Sequence, residues 1–193
     1  MAREPTFKGR ALVTGGAGFI GYHTTKMLLE KGHEVIVVDN GSRSGFLQQL
    51  IEEDVEVKLI DIRDVNSILE VLSKVDAIIH LAALISVEES YRKPLLYDEV
   101  NVKGTLNLLY SAVKKGVKKV IFASSAAVYG DPLKLPITED HPLNPLSIYG
   151  ATKVIGEIYL KVFNKLYGVS TIILRLFNVY GPGEHYHPYR GFI

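Results

Sequence analysis

The sequence contains no cysteine and carries almost no net charge. Without cysteine, disulfides and thiolate metal sites are excluded, which is typical of a reducing compartment. A net charge of +1 gives no strong field toward nucleic acid or an anionic membrane. No apolar run is long enough to cross a bilayer, and segment 1–10 lacks the apolar core of a secretory signal. We therefore expect a cytoplasmic protein without nucleic-acid or membrane partners.

Short apolar runs alternate with longer segments that have helical spacing. The chain has 193 residues, of which 47% are hydrophobic, and this is enough for one domain with a sizeable core. The predicted strands are 10–14, 34–38, 55–60, 77–81, 119–123 and 171–175. The predicted helices are 19–31, 46–52, 65–72, 95–115 and 148–167. Continuous apolar strands that alternate with helices predict an α/β fold, a Rossmann-type doubly wound parallel sheet with helices on both faces.

A glycine-rich turn joins the first predicted strand to the first helix, with the spacing Gly15-x-x-Gly18-x-x-Gly21. Gly15 permits a tight turn, Gly18 lets the backbone approach a pyrophosphate, and Gly21 allows the helix to pack closely on the strand. The helix N-terminus then offers its amide groups and positive dipole end to the phosphates. A glycine turn without a ligand is the alternative, but the strand–turn–helix context favours a dinucleotide site.

Asp39 follows the second predicted strand, about twenty residues after the glycines, where an acidic residue accepts hydrogen bonds from the adenosine ribose. A carboxylate at this place repels a 2′-phosphate, so it favours NAD over NADP. Two alternatives stay open. Asp39 taken alone could simply cap a loop, and the nearby Arg43 could bind the 2′-phosphate of NADP.

Tyr149 and Lys153 stand at positions i and i+4 of the last predicted helix and project from one face. The nearby cation favours the phenolate, which makes Tyr149 a candidate general base or acid and Lys153 its electrostatic partner and a ribose ligand. Ser124 and Ser125 follow the fifth strand, where a serine can donate to a substrate hydroxyl. The alternatives are a solvated Tyr–Lys pair and two serines that only cap the turn.

These motifs together resemble the extended short-chain dehydrogenase/reductase family. They follow the family's order along the chain as TGGAGFIG (14–21), DIRD (61–64), HLAA (80–83), NVKGT (101–105), SSAAVYG (124–130), YGATK (149–153) and RLFNVYGP (175–182). Within the family, the chain is similar to the UDP-glucose (UDP-galactose) 4-epimerases. The resemblance implies an isomerase that oxidises a UDP-sugar transiently at C4 and regenerates its NAD in every turnover. It also implies a homodimer formed through a helix pair, for which 95–115 and 148–167 are the candidates.

The resemblance also assigns roles to individual residues. Tyr149 would take the proton of the sugar 4-hydroxyl, with Ser125 bonded to the same oxygen and Lys153 as the third catalytic residue. The implied cofactor-binding residues are Gly15, Gly18, Phe19, Ile20, Gly21, Asp39, Asn40, Ser42, Ser44, Asp61, Ile62, Leu81, Ala82, Ala83, Asn101, Ser124, Tyr149, Lys153 and Phe177. The implied substrate-binding residues are Ser125, Tyr149 and Asn178. No metal site is expected, because His185 and His187 have no further ligand at metal-binding spacing.

Several alternatives to epimerisation exist for a chain with these motifs. Ala126 and Ala127 occupy the places where the related sugar 4,6-dehydratases carry an acidic pair, so dehydration is not expected. A different nucleotide-sugar-modifying member of the family and a non-catalytic NAD-binding module remain as alternatives. A binding module would not need Ser125, Tyr149 and Lys153 together.

Members of this family continue beyond the sixth strand with a smaller C-terminal domain that encloses the nucleotide sugar. We therefore expect residues 1–180 to form the NAD-binding domain and residues 181–193 to begin a substrate domain that is largely missing. On this interpretation the chain binds NAD but supports little or no epimerase turnover. Exposed apolar surface at the docking place of the missing domain would favour self-association.

Overall fold

Six parallel strands form a single sheet in the computed structural model, which describes residues 9–184. The strands are β1 (Arg10–Thr14), β2 (Glu34–Asp39), β3 (Glu56–Leu59), β4 (Ala77–His80), β5 (Lys119–Ser125) and β6 (Ser170–Leu176). The α-helices are α1 (Phe19–Glu30), α2 (Leu47–Glu52), α3 (Val65–Val71), α4 (Val87–Arg92), α5 (Pro94–Tyr97), α6 (Gly104–Lys115) and α7 (Ile148–Tyr167). The predicted α/β fold is confirmed, with bounds that shift by a few residues.

The strand order is β3-β2-β1-β4-β5-β6, so the chain winds outward from β1 in both directions. This is the order of a doubly wound dinucleotide-binding sheet, in which ligands bind at the carboxyl edge where the winding reverses. The reversal lies between β1 and β4. The register pairs Thr14 with both Val38 and His80, so the chain leaves β1, β2 and β4 side by side at that edge.

Helices cover both faces of the sheet, as predicted. Along β1, Ala11 and Val13 point into a core closed by α1 and α2, whereas Leu12 points into the larger core beneath α3, α6 and α7. The α1–α2 face is covered less completely at the β6 end of the sheet. Ile172 and Leu174 of β6 are exposed there.

The prediction of one continuous helix over 95–115 was wrong. The structure divides this stretch into α5, a π-helical segment (Asp98–Lys103) and α6, and it adds α4 ahead of them. A π-helical segment holds more residues per turn than an α-helix, so it rotates the face of the helix that follows. Leu106 of α6 is exposed, whereas Leu108 and Leu109 lie in the core.

In the described part of the chain, no helix has both the length and the apolar character of a membrane span. The predicted start of a substrate domain at 181–193 falls mostly outside the described residues, and so do His185 and His187.

Candidate active site

The glycine turn lies at the centre of the carboxyl edge and has no room for side chains. Gly15 has a φ of +69°, and a Cβ added to it would lie 2.7 Å from the backbone nitrogen of Ala82. A Cβ on Gly21 would lie 2.2 Å from the carbonyl oxygen of Gly15, and one on Gly18 would lie 3.3 Å from that oxygen. Each glycine therefore keeps the backbone close where the pyrophosphate was predicted to bind.

Helix α1 begins beside this turn with its amide groups available. Gly18 caps it without a side-chain hydrogen bond, and its first turn contains no acidic residue. The first N–H groups of a helix have no partner within the helix and form the positive end of its dipole. The residues at this place therefore fit the pyrophosphate of a dinucleotide.

Asp39 links the loop after β2 to the glycine turn. One oxygen, Oδ2, accepts from the backbone N–H of Ala17 at 3.1 Å, and Oδ1 accepts from Ser44 and from the N–H of Gly41. Asp39 thus caps this loop, which was the alternative interpretation. A carboxylate offers about four acceptor positions, so capping leaves it able to accept from a ribose hydroxyl.

The next predicted cofactor residues extend the same edge toward β3. Asn40 accepts from Ser42 and donates to Asp61, and Arg63 donates to both oxygens of Asp61. These hydrogen bonds, those from Arg63 above all, hold the pKa of Asp61 well below its usual range. The side chain of Ile62 is buried in the larger core, so a contact of Ile62 with adenine would involve its main chain.

Tyr149 and Lys153 lie inside the protein rather than on a solvated helix surface. They are 8% and 4% exposed. Lys153 Nζ donates to the carbonyl oxygen of Ala123 at 2.8 Å, and it lies 4.9 Å from the ring centre of Phe122 and 5.9 Å from that of Tyr149. Burial lowers the pKa of Lys153 to about 8. The structure thus places a cation near the ring of Tyr149, and a nearby positive charge favours the phenolate.

The two predicted serines lie at the end of β5 and have different partners. Ser125 Oγ accepts from the backbone N–H of Ala127 at 3.2 Å, so it caps the following 3-10 turn while its own O–H can donate elsewhere. Ser124 is buried and donates to Glu157 Oε1 at 2.6 Å. The hydroxyl of Ser124 therefore faces helix α7, and a contact with the cofactor would come from its main chain.

A buried ion pair, which the sequence did not predict, lies beneath these residues. Arg175 of β6 binds both carboxylate oxygens of Glu157, at 2.9 and 2.8 Å, and Glu157 is fully buried. The pair joins α7 to the ends of β5 and β6. One signal was available, because Glu157 stands four residues after Lys153 and so lies on the same face of α7.

A hydrogen-bond chain through His80 was likewise not predicted from the sequence. Thr105 donates to the carbonyl oxygen of Asn101, so its oxygen accepts from His80 Nε2–H at 3.0 Å. The other ring nitrogen, Nδ1, then accepts from Thr14 Oγ1 at 2.7 Å, and that oxygen accepts from the N–H of Ala82 at 3.3 Å. Burial lowers the pKa of His80 to about 3, so the imidazole is neutral. This series of hydrogen bonds fixes the position of the backbone along which the dinucleotide was predicted to bind.

Asn101, in the π-helical segment, anchors the chain that leaves β4. Its side chain accepts from the N–H of Leu84 at 2.8 Å and donates to the carbonyl oxygen of Leu84 at 2.9 Å. It also donates to Thr152 of α7 at 3.1 Å. Asn101 therefore orders the segment that contains Leu81, Ala82 and Ala83.

Phe177 and Asn178 follow β6 and are exposed at the same carboxyl edge. The ring of Phe177 lies 6.5 Å from that of Tyr129. Among residues 9–184, no group of three or more His, Cys, Asp and Glu side chains could hold a metal ion.

A doubly wound sheet with a glycine turn at its reversal places the chain in the class of dinucleotide-binding proteins. Residues 11–193 match the NAD dependent epimerase/dehydratase family, and the chain belongs to that family. The predicted family and fold are thereby confirmed.

Proteins similar to this chain include several UDP-sugar 4-epimerases. The UDP-glucose 4-epimerase of Lactobacillus helveticus is 41% identical over 177 residues, which is 89% of this chain and 52% of that protein. The solved UDP-glucose 4-epimerase of Thermus thermophilus in complex with NAD has a TM-score of 0.87 and 38% identity, over 94% of this chain and 58% of that one. The UDP-N-acetylglucosamine 4-epimerase of Methanobrevibacter ruminantium M1, in complex with UDP-N-acetylmuramic acid, has a TM-score of 0.89 and 36% identity, over 96% and 60%. The chain spans about half the length of the curated relatives it matches.

Proposed function

We propose that this chain binds NAD along the carboxyl edge of its sheet and carries the acid–base residues of a UDP-sugar 4-epimerase. The observation that supports this most directly is the buried Tyr149–Lys153 face of α7. It packs at the end of β5 beside Ser125, on the same edge as the glycine turn. The UDP-sugar substrate is inferred from the relatives, whose names give UDP-glucose and UDP-N-acetylglucosamine.

Each part of NAD has residues that suit it. The glycine turn and the start of α1 offer N–H groups to the pyrophosphate, Asp39 offers an acceptor to the adenosine ribose, and Lys153 offers a donor to the second ribose. When bound, NAD supplies the hydride acceptor that oxidises sugar C4 and returns the hydride to the opposite face, without net oxidation.

The acid–base work falls to three side chains. Tyr149 accepts the proton of the 4-hydroxyl as the C4–H bond is oxidised and gives it back when the ketone is reduced. Lys153 stabilises the phenolate from within a buried site, where its charge acts more strongly than in water. Ser125 donates to the same sugar oxygen and holds it near the phenol.

A non-catalytic NAD-binding module explains this arrangement less well. Burying a lysine ammonium is unfavourable, and simple binding of a dinucleotide does not require it. The buried position of Lys153 beside Tyr149 therefore supports a catalytic role.

The wider functional expectations also remain proposals. We propose that the complete protein forms a homodimer through α6 and α7, and the apolar side chains that both helices leave exposed support this. The structure describes only residues 181–184 of the expected substrate domain. The division of the chain into an NAD-binding domain (1–180) and the start of a substrate domain (181–193) therefore stays a prediction. The cytoplasmic location also stays a prediction.

The proposal is tested by comparing the wild-type chain with Tyr149→Phe and with a matched control on the same helix, Tyr159→Phe. NAD uptake would be measured by calorimetry. NADH fluorescence would be followed after addition of UDP-galactose to the same variants of the complete protein, because this chain by itself is expected to support little or no turnover. We expect all three proteins to bind NAD. We expect NADH formation to fall at least about a hundredfold in Tyr149→Phe alone, because that variant loses the general base.

Two outcomes would contradict the proposal. A folded wild-type chain that takes up no NAD would remove the cofactor assignment. Equal and measurable NADH formation by the wild-type and Tyr149→Phe forms of the complete protein would remove the role of Tyr149.

A further inference from the structure

Arg43 lies in the loop that Asp39 organises. Asp39 Oδ1 accepts from the N–H of Gly41 and from the hydroxyl of Ser44. Arg43 lies between these two residues, so the same hydrogen bonds fix the position of its backbone. An arginine near the ribose-binding acid is the usual ligand of the 2′-phosphate of NADP. Arg43 is thus close enough in the chain to favour NADP, whereas Asp39 favours NAD.

The structure directs Arg43 to a different anion. Its Nη2 donates to Oε2 of Glu89 on helix α4, and the two residues form an ion pair. Helix α4 follows β4, whereas the loop of Arg43 follows β2, and these strands lie on opposite sides of β1. The ion pair therefore joins the two sides of the carboxyl edge.

Glu89 is held in place from several directions. Lys93 donates to its Oε1 at 3.1 Å. The hydroxyl of the buried Tyr97 donates to the carbonyl oxygen of Ser86 at 2.7 Å and lies 3.3 Å from Oε2 of Glu89. Ser86, which caps α4, accepts from the backbone N–H of Glu89 at 3.1 Å. The guanidinium of Arg43, and after it Lys93, lowers the pKa of Glu89 to about 2, so the carboxylate is ionised at neutral pH. Arg43 therefore faces a fixed and permanently charged partner.

We propose that Glu89 is a specificity residue, which favours NAD over NADP by holding Arg43 away from the ribose 2′ position. The inference rests on the proposed function, because it takes the dinucleotide to lie at this edge. To bind a 2′-phosphate, Arg43 would first have to leave Glu89, and Glu89 would then keep only Lys93 as a partner for its charge. The loss of the ion pair acts together with the repulsion from Asp39, so the two carboxylates select against the same phosphate.

The test uses Glu89→Gln, which keeps the shape of the side chain but removes the charge that binds Arg43. The matched control is Glu88→Gln, which removes the same charge from an exposed neighbour on α4. Fluorescence titration at low ionic strength gives the Kd of NADH and of NADPH for each protein. We expect the Kd ratio of NADPH to NADH to fall about tenfold in Glu89→Gln, since one charge-assisted contact to phosphate becomes available. It should stay at the wild-type value in Glu88→Gln.

A double variant, Glu89→Gln with Arg43→Gln, identifies the residue that gains the contact. Return of the ratio to the wild-type value supports the proposal, and a gain that persists without Arg43 overturns it. An unchanged ratio in folded Glu89→Gln also overturns it, even if both dinucleotides bind more tightly. A wild-type chain that binds neither dinucleotide would overturn the proposed function and, with it, this inference. The wild-type titration thus separates the two kinds of failure.

Discussion

Lys153 keeps an ammonium group inside the protein, between the end of β5 and the start of α7. Its hydrogen bond to Ala123 and the ring of Phe122 replace only part of the hydration that the charge has in the unfolded chain. Its spacing from Tyr149 was readable from the sequence because a helix repeats every 3.6 residues. Its burial was not, because burial depends on β5 and on the 3-10 turn that packs against α7.

This burial predicts a specific pH dependence of stability. The folded pKa of Lys153 is about 8, below the value of about 10.4 in an unfolded chain. Between these values the unfolded state holds more protons, so the free energy of unfolding rises with pH. We expect the wild type to gain on the order of 2 kcal/mol relative to Lys153→Met between about pH 7 and about pH 10.

Urea unfolding of both proteins at the two pH values measures this gain. Lys165→Met, an exposed position on the same helix, should follow the wild type at both. If the wild type and Lys153→Met keep a constant difference in stability, Lys153 does not have the lowered pKa.

At the scale of elements, the π-helical segment connects the segment after β4 with helix α7. Asn101 projects from it toward Leu84 after β4 and toward Thr152 on α7. Such segments often occur at functional sites. Helical periodicity cannot reveal one, because a single wide turn is lost within an otherwise regular apolar pattern. The motif at 101–105 drew attention to Asn101, and only the structure showed that its partners are mostly backbone groups.

We therefore predict that Asn101→Ala lowers the free energy of unfolding by about 2–3 kcal/mol, because it leaves two backbone groups of Leu84 without partners. The variant should also weaken NADH binding several-fold, because Asn101 no longer holds the polypeptide segment that contains Ala82. Urea unfolding and fluorescence titration measure the two effects. Thr152→Val is the control, with a smaller expected loss of about 1–2 kcal/mol, because Asn101 loses one acceptor but keeps both of its bonds to Leu84. Equal losses in the two variants would show that Leu84 does not depend on Asn101.

The ion pairs of the site could not be predicted, because they depend on contacts between residues that are far apart in the sequence. The strands, the glycine turn and Asp39 were predictable because their signals lie within a few neighbouring residues. Glu157 with Arg175, and Arg43 with Glu89, are pairs whose members lie far apart in the chain, with many other possible partners for each charge. Only the packing of α7 and the winding of the sheet select between them.

At the scale of the whole molecule, two of the exposed apolar regions among residues 9–184 are of different kinds. One lies on α6 and α7, the helices proposed for the homodimer, and its exposed side chains are Leu106, Tyr110, Ile158, Val162 and Leu166. The other lies on the α1–α2 face of β6, where Ile172 and Leu174 are exposed. Exposed apolar surface favours self-association, but these two regions would produce different assemblies.

The same substitution at one position in each region distinguishes the two. Ile158→Glu should raise the dissociation constant of the homodimer at least about tenfold, because it places a charge among apolar side chains at the expected interface. Ile172→Glu should leave the dimer intact. Light scattering coupled to size-exclusion chromatography measures the mass of each variant. A dimer that survives Ile158→Glu and is lost in Ile172→Glu would assign the interface to the sheet face.

The position of β1 in the sheet also has a consequence for how the protein forms during synthesis. β1 is made before the other five described strands, yet it lies between β2 and β4, and its residue Thr14 is 66 residues from its partner His80. One edge of β1 therefore stays unpaired until β4 has left the ribosome, and contacts at such separations form slowly. Gly15 packs against Ala82, so the turn also takes its final shape only after β4 has paired. NAD can thus stabilise this fold only late in its formation, after a period in which chaperones can bind the open edge.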